Sequence, residues 1–106
     1  MPKAYWIAHV DVADPEPYKA YIAANAEAFA KFGARFLVRG GRYAVAEGKS
    51  RARQVVLEFK DYDTAVACYH SPEYQAALRL RQPVSEADLV IVEGYDGPAP
   101  VWPPAS

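Results

Sequence analysis

The sequence predicts an α+β sandwich, an antiparallel sheet with helices on one face. Three observations carry this. Apolar residues recur with period two and then with helical period, in the order strand, helix, strand, strand, helix, strand. A helix start is written twice in one form, cap then proline then acid, at Asp14-Pro15-Glu16 and Ser71-Pro72-Glu73. The chain has 106 residues, 52% hydrophobic and 24% charged, which suits one small domain with a single core.

Ala4 to Val12 reads as the first strand. Trp6, Ala8, Val10 and Val12 make one apolar face, and Tyr5, Ile7, His9 and Asp11 make a mixed one. Asp14 is placed to cap the following helix, with Pro15 at its first position and Glu16 at the positive end of its dipole. Tyr18, Tyr21, Ile22, Asn25, Ala28, Phe29 and Phe32 form one stripe, apolar except at Asn25. Gly33 is the expected left-handed stop.

Ala34 to Arg39 is strand-like, and the pattern resumes from Arg42 to Glu47 after Gly40-Gly41. The glycines read either as a two-residue hairpin turn or as a bend within one long strand. The bend is preferred, because Glu47-Gly48-Lys49-Ser50 supplies a second turn just before the next strand. That strand, Gln54 to Lys60, alternates Val55, Leu57 and Phe59 with Gln54, Val56 and Glu58. Asp61 caps a second helix carrying Ala65, Val66 and Tyr69 inward. The helical path restarts at Ser71, and Tyr74, Ala77, Leu78 and Arg81 continue the stripe to Gln82-Pro83. Leu89 to Gly94 is the last strand.

Two βαβ units sharing one sheet give a ferredoxin-like βαββαβ sandwich. Right-handed crossovers place both helices on the same face, and the other face then needs water or a partner. Residues 1–95 form the domain, and residues 96–106 form a proline-rich tail with Trp102 inside it, either disordered or anchored by that side chain.

Composition narrows the function. Twelve Lys and Arg against thirteen Asp and Glu leave no basic footprint, so no nucleic-acid partner is expected. No apolar run approaches membrane-spanning length, so no membrane partner is expected either. The N-terminus has no signal-peptide layout and Cys68 is the single cysteine, which together point to the cytoplasm. His9, His70 and Cys68 match no zinc spacing, and no glycine-rich phosphate loop opens a helix, so neither metal nor cofactor is expected. The unusual feature is aromatic content, with 8 Tyr, 4 Phe and 2 Trp. These residues supply buried area, and the tyrosines add a polar tip that a pocket can use.

The sequence resembles the family called domain of unknown function 1330, from about Tyr5 to Tyr95. The likeness rests on Tyr5-Trp6-Ile7 with Val10 and Val12, Asp14-Pro15 with Tyr18 and Tyr21, Arg39-Gly40-Gly41, Glu47-Gly48, Glu58-Phe59, Tyr69-His70-Ser71-Pro72-Glu73-Tyr74 and Val92-Glu93-Gly94. The resemblance implies a dimeric α+β barrel built from two ferredoxin-like sheets, with the chain itself as partner. It implies no activity, because the wider group of similar folds includes cofactor-free monooxygenases, lactone isomerases, haem-binding enzymes and ligand binders. His70 departs from the family pattern, which has a small acidic or polar residue there.

Alternation places His9 and Glu58 on the sheet face away from the helices, where the first and third strands are neighbours. A His and a carboxylate in a partly dry barrel cavity can move a proton, or they can simply satisfy a buried sheet face. Arg39 reads as an anion clamp beside Gly40 and Gly41, or as an ion pair to Glu47, Glu58 or Glu93, across strands or across the dimer. Tyr69 and Tyr74 are candidate pocket residues, and Ser71 is an N-cap rather than a nucleophile. The expected function is binding of a small anionic or aromatic molecule in a barrel cavity. A cofactor-independent enzyme using His9, Glu58 and Arg39, and a purely structural dimerisation module, are the alternatives.

Overall fold

The computed structural model describes residues 2–98. Four strands and three α-helices follow one another as β1 (Ala4–Val12), α1 (Pro15–Phe32), β2 (Arg35–Arg39), β3 (Arg53–Phe59), α2 (Tyr62–His70), α3 (Pro72–Arg81) and β4 (Ser85–Glu93), with a short 3-10 turn at Gln82–Val84 before β4. The sheet order is β2-β3-β1-β4, and every neighbouring pair is antiparallel. This is the ferredoxin-like sandwich that the alternation predicts.

The helices cover the face bearing Ala4, Trp6, Val10, Leu57 and Phe59, all buried. Trp6 is the centre of this core. Its ring lies 4.8 Å from Tyr74, 5.2 Å from Phe59, 5.5 Å from Phe29 and 5.7 Å from Tyr69, mostly edge to face. Its indole N–H donates to the Ala65 carbonyl at 2.9 Å, so the one polar atom of the ring is satisfied.

Local chemistry explains the helix ends. At Gly33, with φ 67°, the chain turns left-handed: the Gly33 N–H donates to Ala30 and the Ala34 N–H to Phe29. Asp61 accepts from the Thr64 N–H at 2.8 Å. Ser71 joins α2 to α3 by accepting from the Tyr74 N–H at 3.1 Å and donating to the Cys68 carbonyl at 2.7 Å. Asp14 departs from its expected role: its side chain makes no cap hydrogen bond, and only its backbone carbonyl meets Tyr18.

Two strand expectations need correction. Arg42 to Glu47 is neither a hairpin arm nor the continuation of a bent strand; it is irregular and exposed. Among the described residues its available neighbour is β3, which begins at Arg53, so the ladder closes where the Gly40 N–H donates to the Gln54 carbonyl at 2.7 Å. Beyond that point no described strand remains to pair with. β4 starts at Ser85, four residues before the expected Leu89, because Glu86 and Asp88 alternate with inward Ala87 and Leu89 on an edge strand. The tail from residue 99 onward, including Trp102, lies outside the described residues.

Candidate functional site

Strand alternation puts Arg53 in line with Val55, Leu57 and Phe59, facing the helices. β2 reaches the same face by a different route. Phe36 pairs with Leu57, but Val38 pairs with Val56 and Arg39 with Val55, so Leu37 is an extra residue in a bulge. Were the strand regular through Leu37, Phe36 and Val38 would share a face and Arg39 would point away from the helices. With the bulge, Arg39 shares the inner face with Phe36 and Val55. Its guanidinium carbon stacks 4.3 Å from the Phe36 ring centre.

Helix spacing brings in the remaining groups. Tyr18, Tyr21 and Asn25 come from α1, and Tyr74 and Arg81 from α3. They close over a cavity whose apolar lining includes Trp6, Val10, Phe29, Phe36, Leu57 and Leu89. The void is about 530 Å³ with its open mouth counted, and about 40 Å³ of it is open to the centre of a water molecule. The arginines mark one end of the sandwich, where β2 and α3 finish and β3 begins.

The charge balance of this cavity is one-sided. Among the described residues, no carboxylate lies within 4.0 Å of Arg39, Arg53 or Arg81 in an ion pair. The ion pair between Arg39 and Glu47, Glu58 or Glu93 that the sequence allowed is therefore absent within the chain. Arg81 is only 8% exposed, and its guanidinium carbon lies 5.6 Å from the Tyr21 ring. The Arg53 Nε is buried and meets no hydrogen-bond acceptor among the described residues. A buried cation without a partner is costly, so such groups are kept where they meet something else. The tyrosines are hydrogen-bond donors rather than bases. Tyr21 and Tyr74 hydroxyls lie 2.9 Å apart. Burial, then the neighbouring Tyr21, raises the Tyr74 phenol well above its ordinary value, and burial likewise raises Tyr18 against the opposing charges of Arg53 and Arg81.

His9 and Glu58 share the opposite face, as expected, but they do not meet. His9 sits across from Gln54, and Glu58 across from Tyr5, four residues along β1. Glu58 pairs with Lys3 at 3.2 Å. The carboxylate beside His9 is Asp88, 3.1 Å from Nε2. His9 Nδ1 accepts from the Arg51 N–H at 2.9 Å, which leaves the ring proton on Nε2, facing Asp88. Ser50 Oγ is also 2.9 Å from Nδ1. Ser50, His9 and Asp88 thus resemble a nucleophile, base and acid. However, the Nδ1 lone pair is already taken by Arg51, and Ser50 donates to the Arg51 carbonyl while accepting from Gln54. The cluster works as a clasp. Arg51 binds Asp11, Glu86 and Asp88 at 2.9–3.1 Å and fastens the end of the irregular segment to β1 and β4. Those acids converge on a guanidinium, and among the described residues no group of three or more His, Cys, Asp or Glu side chains could hold a metal ion.

Of the other expected site residues, Tyr74 and Arg39 line the cavity and Tyr69 does not; Tyr69 packs on Trp6. Gly40 backs the Arg53 guanidinium, whereas Gly41 has open space around it. Arg53, Arg81 and Asn25 were not singled out for chemistry by sequence reasoning, although each is a polar group at an inward position of an otherwise apolar pattern.

The fold and this cavity define a ferredoxin-like α+β protein with a polar-ended pocket between sheet and helices. Residues 3–95 match the family described as domain of unknown function (DUF1330), and the chain belongs to it. No curated protein matches. Among solved structures, RPA0582, a protein of unknown function from Rhodopseudomonas palustris, is similar with a TM-score of 0.68 and 17% identity, covering 91% of this chain and 85% of that one. SnoaB, a cofactor-independent oxygenase from Streptomyces nogalater, is similar with a TM-score of 0.59 and 13% identity, covering 92% and 97%. A dimeric ferredoxin-like protein of unknown function from Thermobifida fusca gives a TM-score of 0.59 and 19% identity, covering 87% and 91%. At these identities the likeness is one of fold.

Proposed function

We propose that this protein binds a small amphipathic anion, with an aromatic or apolar body, in the cavity between its sheet and its helices. The observation that carries the reading is the set of guanidiniums without carboxylate partners at one end of an aromatic-lined void. An anionic head neutralises them, and the body replaces water against Trp6, Phe29 and Leu57. The site is thus assigned to the helix side of the sheet rather than to the face bearing His9 and Glu58. The fold likeness to an oxygenase that needs no cofactor keeps catalysis in view. Binding is favoured because the cavity's polar lining consists of arginines, an asparagine and hydrogen-bonding phenols, without a carboxylate or imidazole to serve as a base.

A titration with sodium benzoate followed by amide and side-chain NMR tests this. The reading requires shifts at Trp6, Phe29 and Leu57 that saturate together. Shifts confined to Ile7, His9 and Val90 would move the site to the outer face and overturn it.

A second copy of the chain is proposed to cover that outer face. Ile7, Val38, Val90 and Val92 lie exposed on it, and the Thermobifida fusca neighbour is described as dimeric. Sedimentation should give twice the chain mass for the wild type and the single-chain mass for Val90→Glu, with the fold retained. A wild type that sediments as one chain at high micromolar concentration would sink the idea.

A further inference from the structure

Building on that binding reading, we infer that the anion is a carboxylate held side-on by Arg53, and that Gly40 is the positioning residue that sets this arginine. A guanidinium has one edge formed by Nε and Nη2, while Nη1 lies on the other side, toward Cδ. In this protein the Nη1 side is occupied. A Cβ built on Gly40 would stand 2.6 Å from Arg53 Nη1, 3.3 Å from Cζ and 3.8 Å from Nη2. The guanidinium therefore rests on the bare Cα of Gly40, with Nη1 nearest. The edge that remains begins at Nε, the buried N–H with no acceptor among the described residues. Two parallel N–H donors on one planar edge match the two oxygens of a carboxylate. A neutral amide offers one oxygen only and no charge.

Arg53 has no ion-pair partner among the described residues, and its polar neighbour is the Tyr18 phenol. It stands at the inner end of β3 opposite Val10, and its guanidinium carbon is 6.0 Å from the Tyr18 ring. Arg81 lines the same cavity from α3 and adds a second positive charge without an ion-pair partner among the described residues. The small enclosed volume suits a compact acid whose body reaches toward the mouth.

Gly40 gives the sharpest handle. Gly40→Ala adds one methyl group against the far end of a flexible side chain, so Arg53 moves and the backbone stays. It also places alanine at φ 70°, a strained conformation, and Gly48→Ala is the control. Gly48 has φ 74° with nothing within 4 Å of a built Cβ, so it carries the same strain without the contact.

The experiment measures benzoate and benzamide binding by isothermal titration, with the Arg53 Nε–H resonance followed by NMR. In the wild type, benzoate should bind at least about tenfold more tightly than benzamide and shift the Nε–H signal, as expected for a charge-assisted pair. Arg53→Lys keeps the charge but removes the planar edge, and should lose about tenfold in benzoate affinity. Gly40→Ala should lose a similar factor and its Arg53 Nε–H signal should stop responding, while Gly48→Ala stays within about twofold of wild type. If benzoate still shifts Trp6 and Leu57 but Arg53→Lys and Gly40→Ala bind like wild type, the Arg53 seat is wrong and the cavity reading survives. Equal affinity for benzamide overturns the carboxylate assignment in the same way. If benzoate leaves the cavity residues unmoved, both readings fall. Arg53→Lys keeps the test decisive should Gly40→Ala not fold.

Discussion

Replacing Arg81 by Met should make the ligand-free protein more stable. Arg81 is buried at the end of α3 without an ion-pair partner among the described residues, whereas Met of similar length fills the same space without a charge to desolvate. Burying a guanidinium with no carboxylate to neutralise it costs about 2–3 kcal/mol. Against this, the Arg81 charge gains about 0.5–1 kcal/mol from the Tyr21 ring 5.6 Å away. A basic group in the last turn of a helix gains about 0.3–1 kcal/mol more. The difference favours Met by about 1 kcal/mol, which for a domain of this size raises Tm by roughly 4–8 °C. Differential scanning calorimetry on both proteins, with and without benzoate, reads the effect. The wild type should gain stability from benzoate and the variant should gain much less. Destabilisation of the ligand-free variant by 1 kcal/mol or more (~4 °C or more in Tm) would mean that Arg81 holds the fold together, and the argument from uncompensated charge would fail.

Other expectations follow from the clasp and the helix junction. Ser71→Ala removes a buried hydroxyl that caps α3 and ties it to α2; chemical denaturation should show a loss of about 1–2 kcal/mol, with Ser71→Asn recovering part of it. Asp88 is held below the ordinary aspartate value of 3.8, chiefly by its hydrogen bond from Arg51. Its contribution to stability is therefore complete above about pH 4 and disappears as pH falls through the lower folded value. Asp88→Asn should lose that contribution at neutral pH, flatten the acid side of the stability profile and converge with the wild type at low pH; an unchanged acid limb would show that the clasp is not felt.

Much of the fold was legible because it is written in local chemistry. The Ser71-Pro72-Glu73 restart, the Gly33 stop and the alternation of Val55, Leu57 and Phe59 each have a single structural meaning. The strand resumption after Gly41 was misread because alternation records which residues suit a strand, not whether a neighbour exists to pair with. The early part of β4 was hidden for the converse reason. Its pairing partner was available, but the outward residues Glu86 and Asp88 broke the apolar run.

The site was legible in a subtler way. Asn25 and Arg81 sat as polar members of apolar helix stripes, and Arg53 lay two residues before Val55 on the inward parity of β3. Such positions are the signature of a polar group facing a cavity. The pairing of His9 with Glu58 failed because parity fixes a face but not a position along the strand. Register alone shows them four residues apart, and it assigns Asp88 to His9 instead.

The extra residue in β2 has a consequence for how this scaffold can change its chemistry. Deleting Leu37 would set Val38 directly after Phe36, restore regular pairing and leave Val38 outward and Arg39 inward. Flattening the bulge with Leu37 retained does the opposite: Val38 then falls opposite Val55 and faces the cavity, and Arg39 turns to the outer surface. The charge at the mouth is therefore set by whether the strand accommodates its extra residue and not by which residues it contains. Relatives of this chain that keep the same residues here but pair them without a bulge should differ in the class of molecule they accept, even where the rest of their pocket is identical.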